Sequence, residues 1–215
     1  DQVAGGAVDK AVIIGGGAIG LEMAEALADL WGIETSVVEI ADQILPGIVS
    51  PVVARMGRQK MAENDISAYG REQVLRLEGD GRVQRVVTDK RTLDADLVIM
   101  AVGVSPNADL ARDAGLEISP SGAIVVNERM ETSDPHIYAG GDCVQIQDLI
   151  TETPAYFPSG SLANRQGRVI GTNLAGGNAT FEGAVGTFVI KLFDLAIASA
   201  GLSLERARSH GYDAL

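Results

Sequence analysis

Cysteine is almost absent from this 215-residue chain: there is one, Cys143, and only two histidines, His136 and His210. A single thiol cannot close an internal disulfide, which excludes the stapled scaffolds of small secreted domains. So few Cys and His, with no ligand spacing between them, exclude a zinc site as well. Neither histidine has a Ser, Cys or carboxylate at a suggestive spacing, so both read as surface or turn residues without chemistry. Cations are scarce too, 17 Lys and Arg against 29 Asp and Glu, for a net charge of −12 and a pI near 4.5. Nucleic acids and anionic membranes attract clustered positive charge, so neither is an expected partner. No apolar run approaches the roughly 18–20 residues of a membrane span. The opening Asp1-Gln2-Val3-Ala4-Gly5-Gly6 has no signal-peptide pattern, which points to the cytoplasm. Apolar residues are abundant, 46% of the chain, enough to build one large domain or two small ones.

The first third alternates strand, turn, helix and strand. Residues 10–14, with the β-branched Val12, Ile13 and Ile14, read as a buried parallel strand running into three glycines. Over 18–30 the apolar Ile19, Met23, Ala24, Leu27 and Leu30 recur every three or four positions, with Glu22, Glu25 and Asp29 between them, which predicts an amphipathic helix. Residues 35–40 supply a second strand ending near an acid. A further helix is predicted over 50–64, Pro51 suiting its first turn and Val52, Val53, Met56 and Met61 its core face. Residues 66–69, 73–77 and 83–88 read as the strands of a β-meander laid across the parallel sheet, with a turn at Glu78-Gly79-Asp80-Gly81. Residues 97–102 form a continuous apolar run that fits a fully buried strand of the first sheet. Beyond it come a hairpin at 117–126 about Pro120-Ser121-Gly122, a buried strand at 137–139, a helix over 161–175, and two strands at 187–193 and 196–200.

The pattern Gly15-Gly16-Gly17-Ala18-Ile19-Gly20 lies between the first strand and the first helix. Gly15 allows the tight turn, Gly17 lets backbone approach a pyrophosphate, and Gly20 lets helix pack closely on strand. The free N–H groups and positive dipole end of the helix then face phosphates. Alone this pattern is weak; the strand, the amphipathic helix and Glu39 about twenty residues on, placed to accept the adenosine ribose hydroxyls, strengthen it. A carboxylate also repels a 2′-phosphate, and Ile40-Ala41-Asp42 offers no Arg or Lys to receive one, so NADH is preferred over NADPH.

Three segments together, 13–22, 101–107 (Ala-Val-Gly-Val-Ser-Pro-Asn) and 132–142 (Thr-Ser-Asp-Pro-His-Ile-Tyr-Ala-Gly-Gly-Asp), resemble the FAD-dependent pyridine nucleotide-disulfide oxidoreductase family. Residues 163–168 (Ala-Asn-Arg-Gln-Gly-Arg) and 191–195 (Lys-Leu-Phe-Asp-Leu) are similar to its NADH oxidase, NADH peroxidase and coenzyme A-disulfide reductase branch. The resemblance implies an α/β fold: a Rossmann-like parallel sheet with β-meander (NADH domain, 1–108), part of an FAD domain (109–180) and the start of a truncated α+β interface domain (181–215).

It also implies cofactor contacts. Asp142 would hydrogen-bond the ribityl chain of FAD, and Ser159, Gly160 and Ser161 would line the flavin's pyrimidine edge through backbone N–H groups, with Ser159-Gly160 replacing the family's usual Leu-Ala. Glu22 matches the helix acid beside the nicotinamide, and Gly103 would let a strand end pass close to that ring, Pro106 fixing the turn that follows. With Gly15, Gly17, Ala18, Ile19, Gly20 and Glu39 these complete the candidate cofactor site. No catalytic residue is assigned: the family's redox cysteine is expected upstream, and Cys143, directly after Asp142, reads as a small buried hydrophobe. The resemblance thus implies an internal fragment of a longer homodimeric enzyme that passes hydride from NADH to FAD and on to a disulfide, oxygen or peroxide. The fragment is expected to bind NADH without turnover and to retain little FAD. Two alternatives stay open: a stand-alone nucleotide-binding module without redox chemistry, and an oligomer interface formed by the residues after about 116.

Overall fold

β-branched pairs alternate in direction along the first two strands, and that alternation builds both faces of the principal sheet. In the computed structural model, which describes residues 2–215, the elements run β1 (Lys10–Ile14), α1 (Ala18–Glu25), a π-helical turn (Ala26–Leu30), β2 (Glu34–Val38), α2 (Pro51–Glu63), β3 (Ser67–Tyr69), β4 (Val74–Glu78), β5 (Arg85–Thr88), β6 (Thr92–Asp94) and β7 (Leu97–Met100). They continue with α3 (Asp109–Asp113), β8 (Ile124–Val125), β9 (Val144–Asp148), β10 (Thr153–Ala155), α4 (Gly160–Leu174), β11 (Phe188–Leu192), β12 (Leu195–Ser199) and α5 (Leu204–Ser209). Packing divides the chain into two units. The first runs up to Gly103 and adds Phe188–Ser199 and Ser203–Leu215; the second is Val104–Thr187 with Ala200–Leu202. Residues 181–187 and 188–199 therefore fall in different units. No helix among the described residues is long and apolar enough to cross a membrane.

The first unit is built on a parallel sheet in the order β3-β2-β1-β7, with Ile13 opposite both Val37 and Ile99. Ala11, Ile13 and Val37 face a core with Leu21, Ala24 and Leu27 of the first helix and Ala54 and Met61 of α2. Val12 and Val38 face the other way, against Val86 of the antiparallel sheet β4-β5-β6 and Ala95 just after it. The β11-β12 hairpin joins the helical side: Ile190, Leu192 and Ile197 enter that core, and the N–H of Phe193 at its turn donates to Glu25 Oε1 at 2.9 Å. A Cβ on Gly57 would come within 2.9 Å of Ile44 Cδ1 and 3.3 Å of Ile197 Cδ1, so α2 and the hairpin pack closely there.

Several expectations are corrected here. Residues 66–69 are not part of the meander: β3 runs parallel to β2, with Val37 opposite Ala68, because a helical crossover returns the chain in the same direction. The third meander strand is β6, whose Thr-Leu-Asp sequence carries almost no hydrophobic signal. The buried face of the first helix is Gly20, Leu21, Ala24 and Leu27, whereas Ile19 is 57% and Leu30 72% exposed. Close approach through Gly20 sets that face, and a count of apolar residues does not weigh a glycine. In α2, Ala54, Gly57 and Met61 are buried while Val52 and Met56 are exposed. β2 ends at Val38 and leaves Ile40 exposed, and β7 is half-buried with Met100 exposed.

The second unit has the sheet order β10-β9-β8, β8 parallel to β9 and β9 antiparallel to β10. Ile124, Val144 and Ile146 pack with Val169 of α4 and with Met130, Phe181 and Ala184. The turn before β8 closes with Ser119 N–H on Ala123 O at 2.8 Å and an antiparallel bridge between Ile118 and Ile124. Residues 137–139 are not a buried strand: only Tyr138 bridges to Glu131, and Ile137 is exposed. Asn173, buried on α4, ties the following loop down by donating to Arg129 O and Ala179 O and accepting from Ala179 N–H.

Candidate functional site

In the first unit the predicted site residues gather at the C-terminal end of the parallel sheet, where open α/β sheets bind ligands. Gly15 N–H donates to Val38 O and Ala101 N–H to Ile14 O, both at 2.8 Å, which lashes the turn between β2 and β7. Gly15 has φ +109°, and a Cβ there would sit 2.2 Å from Ala101 O. A Cβ on Gly20 would sit 2.0 Å from Gly15 O, so that glycine is what lets the helix close on the turn. Gly17 differs from both. A Cβ on it would meet nothing within 4 Å, so no part of this chain requires its bareness.

Gly17 opens α1 without a side-chain cap, and the first-turn N–H groups of Ala18 and Ile19 have no acceptor among the described residues. Unsatisfied donors at a positive helix end, beside a position without Cβ, make a cradle for an anion such as a pyrophosphate. Glu39, only 8% exposed, braces it: Oε2 accepts Gly16 N–H at 2.6 Å and Oε1 accepts Ala41 N–H at 2.7 Å. Each oxygen keeps a second lone pair for a ligand hydroxyl. Glu22 is exposed on α1, and Gly103, with φ +107°, turns the chain after β7. Ile19, Ile40, Met100 and Val102 are exposed around this end of the sheet, a rim suited to the flat faces of aromatic rings.

The second unit brings Asp142, Ser159, Gly160 and Ser161 together. Asp142 Oδ1 accepts the N–H of Ser159, the residue that opens α4, at 2.9 Å, and Tyr156 Oη–H donates to Asp142 O at 2.8 Å. The acid therefore fixes where the helix starts, while its Oδ2 has no partner among the described residues. The hydroxyls of Ser159 and Ser161 pair with each other at 3.1 Å, so neither caps the first turn, and Gly160 places no side chain there. Cys143 is half-buried with Sγ directed at Gly140 O; burial pushes its thiol pKa up, away from nucleophilic character.

Sequence reasoning missed Gln166. Its side chain is 2% exposed and accepts Gly141 N–H at 2.6 Å, holding the Gly140-Gly141-Asp142 turn against α4. The available signal was polar residues on the buried stripe of a helix, Gln166 and Asn173 flanking Val169.

A parallel-sheet unit with a glycine cradle and a bracing acid, joined in one chain to a second unit with an acid-anchored helix start, has the α/β architecture of nucleotide-binding proteins. The chain belongs to the pyridine nucleotide-disulphide oxidoreductase family, whose pattern matches residues 2–163. Among its relatives, an NAD(P)H sulfur oxidoreductase (CoA-dependent) of Pyrococcus abyssi is 39% identical over 206 residues, 96% of this chain and 46% of that protein. An NADH oxidase of Methanocaldococcus jannaschii is 41% identical over 194 residues, 90% of this chain and 43% of that protein. The crystal structure of an FAD-dependent pyridine nucleotide-disulphide oxidoreductase from Desulfovibrio vulgaris superposes with a TM-score of 0.95 at 62% identity, covering 98% of this chain and 53% of that one. The chain thus spans about half the length, or less, of the proteins it matches.

Proposed function

We propose that the chain provides the NADH site and part of the FAD site of a flavoprotein oxidoreductase whose final acceptor is a disulfide, oxygen or peroxide. The observation that carries the reading is Gly17, a position with no protein reason to lack a side chain, set beside unsatisfied helix N–H groups and a buried acid. Bound there, the nicotinamide coenzyme supplies a hydride, and FAD in the complete enzyme receives it.

The residues of this chain bind and orient. Ala18 and Ile19 offer N–H groups to the pyrophosphate, Gly15 and Gly20 set the turn, and Glu39 accepts the adenosine ribose and disfavours a 2′-phosphate. Glu22 and Gly103 flank the nicotinamide. In the second unit Asp142 offers its open oxygen to the ribityl hydroxyls, and the first turn of α4, from Ser159 through Ser161, offers N–H groups to the pyrimidine edge. The proposed parent divides as NADH domain (1–108), FAD domain (through 180) and interface domain (from 181), and works as a cytoplasmic homodimer. Isothermal titration with NADH and NADPH, with an absorbance scan for flavin, tests this. Saturable NADH binding in a colourless sample is expected, NADPH binding more weakly; no NADH binding would sink the reading.

A further inference from the structure

Beyond the dinucleotide site, the first unit has a second concave surface, on the edge strand of its parallel sheet. A cleft of about 430 Å³ lies at the end of β3, between the start of the loop after β2, the side of α2 and the β5-β6 turn. Its charged lining is Arg58, Arg71, Lys90 and Arg91 with Asp42 and Glu72. Four of the chain's 17 cations thus collect in one hollow of a protein whose net charge is −12.

Both carboxylates are already committed. Asp42 is gripped from two sides of one guanidinium, Arg71 Nη2 on Oδ2 at 2.7 Å and Nε on Oδ1 at 2.5 Å, and that hydrogen bonding holds its carboxyl pKa below the ordinary aspartate value. Glu72, its side chain 1% exposed, accepts Arg91 Nε at 2.9 Å and Thr88 Oγ1–H at 2.7 Å. Arg91 also lies over the Tyr69 ring, 4.0 Å from its centroid, so its plane is fixed.

Arg58 and Lys90 are left without an ion pair among the described residues. Each is steered into place by a backbone carbonyl, Arg58 Nη2 donating to Ala68 O at 3.0 Å and Lys90 Nζ donating to Arg71 O. A neutral carbonyl orients a cation without cancelling its charge. The cleft therefore presents two positioned cations outside any ion pair, Arg58 still within electrostatic reach of Asp42, with further guanidinium donors beside them, the donor set that a phosphate's several acceptor oxygens satisfy. None of this is legible along the sequence: Arg71 and Asp42 lie 29 residues apart and meet where Arg71 N–H bonds Ala41 O at 2.7 Å.

We propose that this cleft is an anion site, separate from the glycine turn, that binds a phosphomonoester group through Arg58 and Lys90. The group is carried by a phosphorylated small molecule other than the coenzyme.

The full chain is titrated with inorganic phosphate at low ionic strength, following the backbone amide resonances of Tyr69, Gly70 and Arg71, and the titration is repeated with saturating NADH. Saturable shifts confined to the cleft are expected, with an affinity unchanged by NADH. The affinity falls about tenfold in Lys90→Gln and in Arg58→Ala, each variant losing one charge-assisted contact to the anion. Lys90 lies in an exposed turn, so Lys90→Gln keeps the test available if Arg58→Ala fails to fold. Displacement of phosphate by neither NADH nor NADPH is expected. No saturable shift, binding in both variants equal to that of the unsubstituted chain, or displacement by NADH or NADPH would overturn the proposal. Phosphate binding in a chain that fails to bind NADH would leave the anion site standing and remove only the dinucleotide reading.

Discussion

The two units solve the same problem, holding a glycine turn open beside an acid, with opposite use of the acid. In the first, both oxygens of Glu39 are spent on backbone N–H groups, Gly16 and Ala41, and the carboxylate is buried. In the second, Asp142 is exposed and spends one oxygen on Ser159 N–H, while the turn itself is braced by an uncharged side chain, Gln166. A buried carboxylate is tolerated where each oxygen is hydrogen-bonded, so Glu39 serves structure first and ligand second. Asp142 keeps half of its capacity in reserve for a ligand.

The comparison extends to glycine, and the sharpest way to break it is there. Gly20→Ala drives a methyl into Gly15 O, a main-chain atom that no side-chain rotation can move aside, with Ile13 Cγ2 only 3.3 Å away. It should destabilise the first unit by about 3 kcal/mol and abolish NADH binding, read by denaturant unfolding and calorimetry. Gly17→Ala should separate the two effects. Its backbone, φ −77° and ψ −176°, suits alanine, so stability should change by no more than about 1 kcal/mol while NADH affinity drops at least about tenfold. Equal stability losses in the two variants would mean that Gly17 is as structural as Gly20.

Glu39→Gln tests the bracing role. The amide keeps one acceptor but turns its NH₂ toward Gly16 or Ala41 N–H, at a cost of about 1–3 kcal/mol, and the preference for NADH over NADPH should shrink. Gln166→Leu makes the matching lesion in the second unit, leaving Gly141 N–H without its acceptor. A loss of about 1–2 kcal/mol is expected there. Because the chain has two units, unfolding followed by Trp31 fluorescence in the first unit should be unmoved by Gln166→Leu and shifted by Glu39→Gln. A shift of the Trp31 signal in both variants would show that the units unfold as one.

How far the sequence carried these conclusions follows from the range of the interactions involved. β1, the glycine turn and the helix after it were legible because period and spacing are local, and Ser50, Pro51 and Asn64 marked α2 within a residue. β3 was placed in the wrong sheet because three residues, Ser-Ala-Tyr, do not say which neighbour they pair with. β9 was missed although Val-Gln-Ile-Gln-Asp alternates, since its polar half masks a strand buried on one face only. At the sites, residue types were readable and partners were not. That Glu39 would grip Gly16, 23 residues away, or Gln166 reach Gly141, 25 away, depends on packing that no window of sequence contains.

Acid should have a weaker effect, and it distinguishes how the units use their half-buried carboxylates. Asp96 Oδ2 accepts the N–H groups of Asp9 at 3.1 Å and Lys10 at 3.0 Å, and the Asp9 bond first, then that of Lys10, lowers its pKa. Glu131 in the second unit is lowered as well, chiefly by the side chains of Asn127 and Arg129. A depressed carboxylate contributes stability that is complete above its unfolded value, about 3.9 for aspartate, and is lost as pH falls through the lower folded value. Main-chain pinning at the start of β1 should therefore report directly: the amide resonances of Asp9 and Lys10 should hold steady from pH 7 to about 4 and move only below the ordinary aspartate value. Asp96→Asn should remove that movement. The partners of Glu131 are side chains, so the amides around it should titrate weakly. Movement of the Asp9 and Lys10 amides centred above the ordinary value would mean that Asp96 does not hold the strand that leads into the glycine turn.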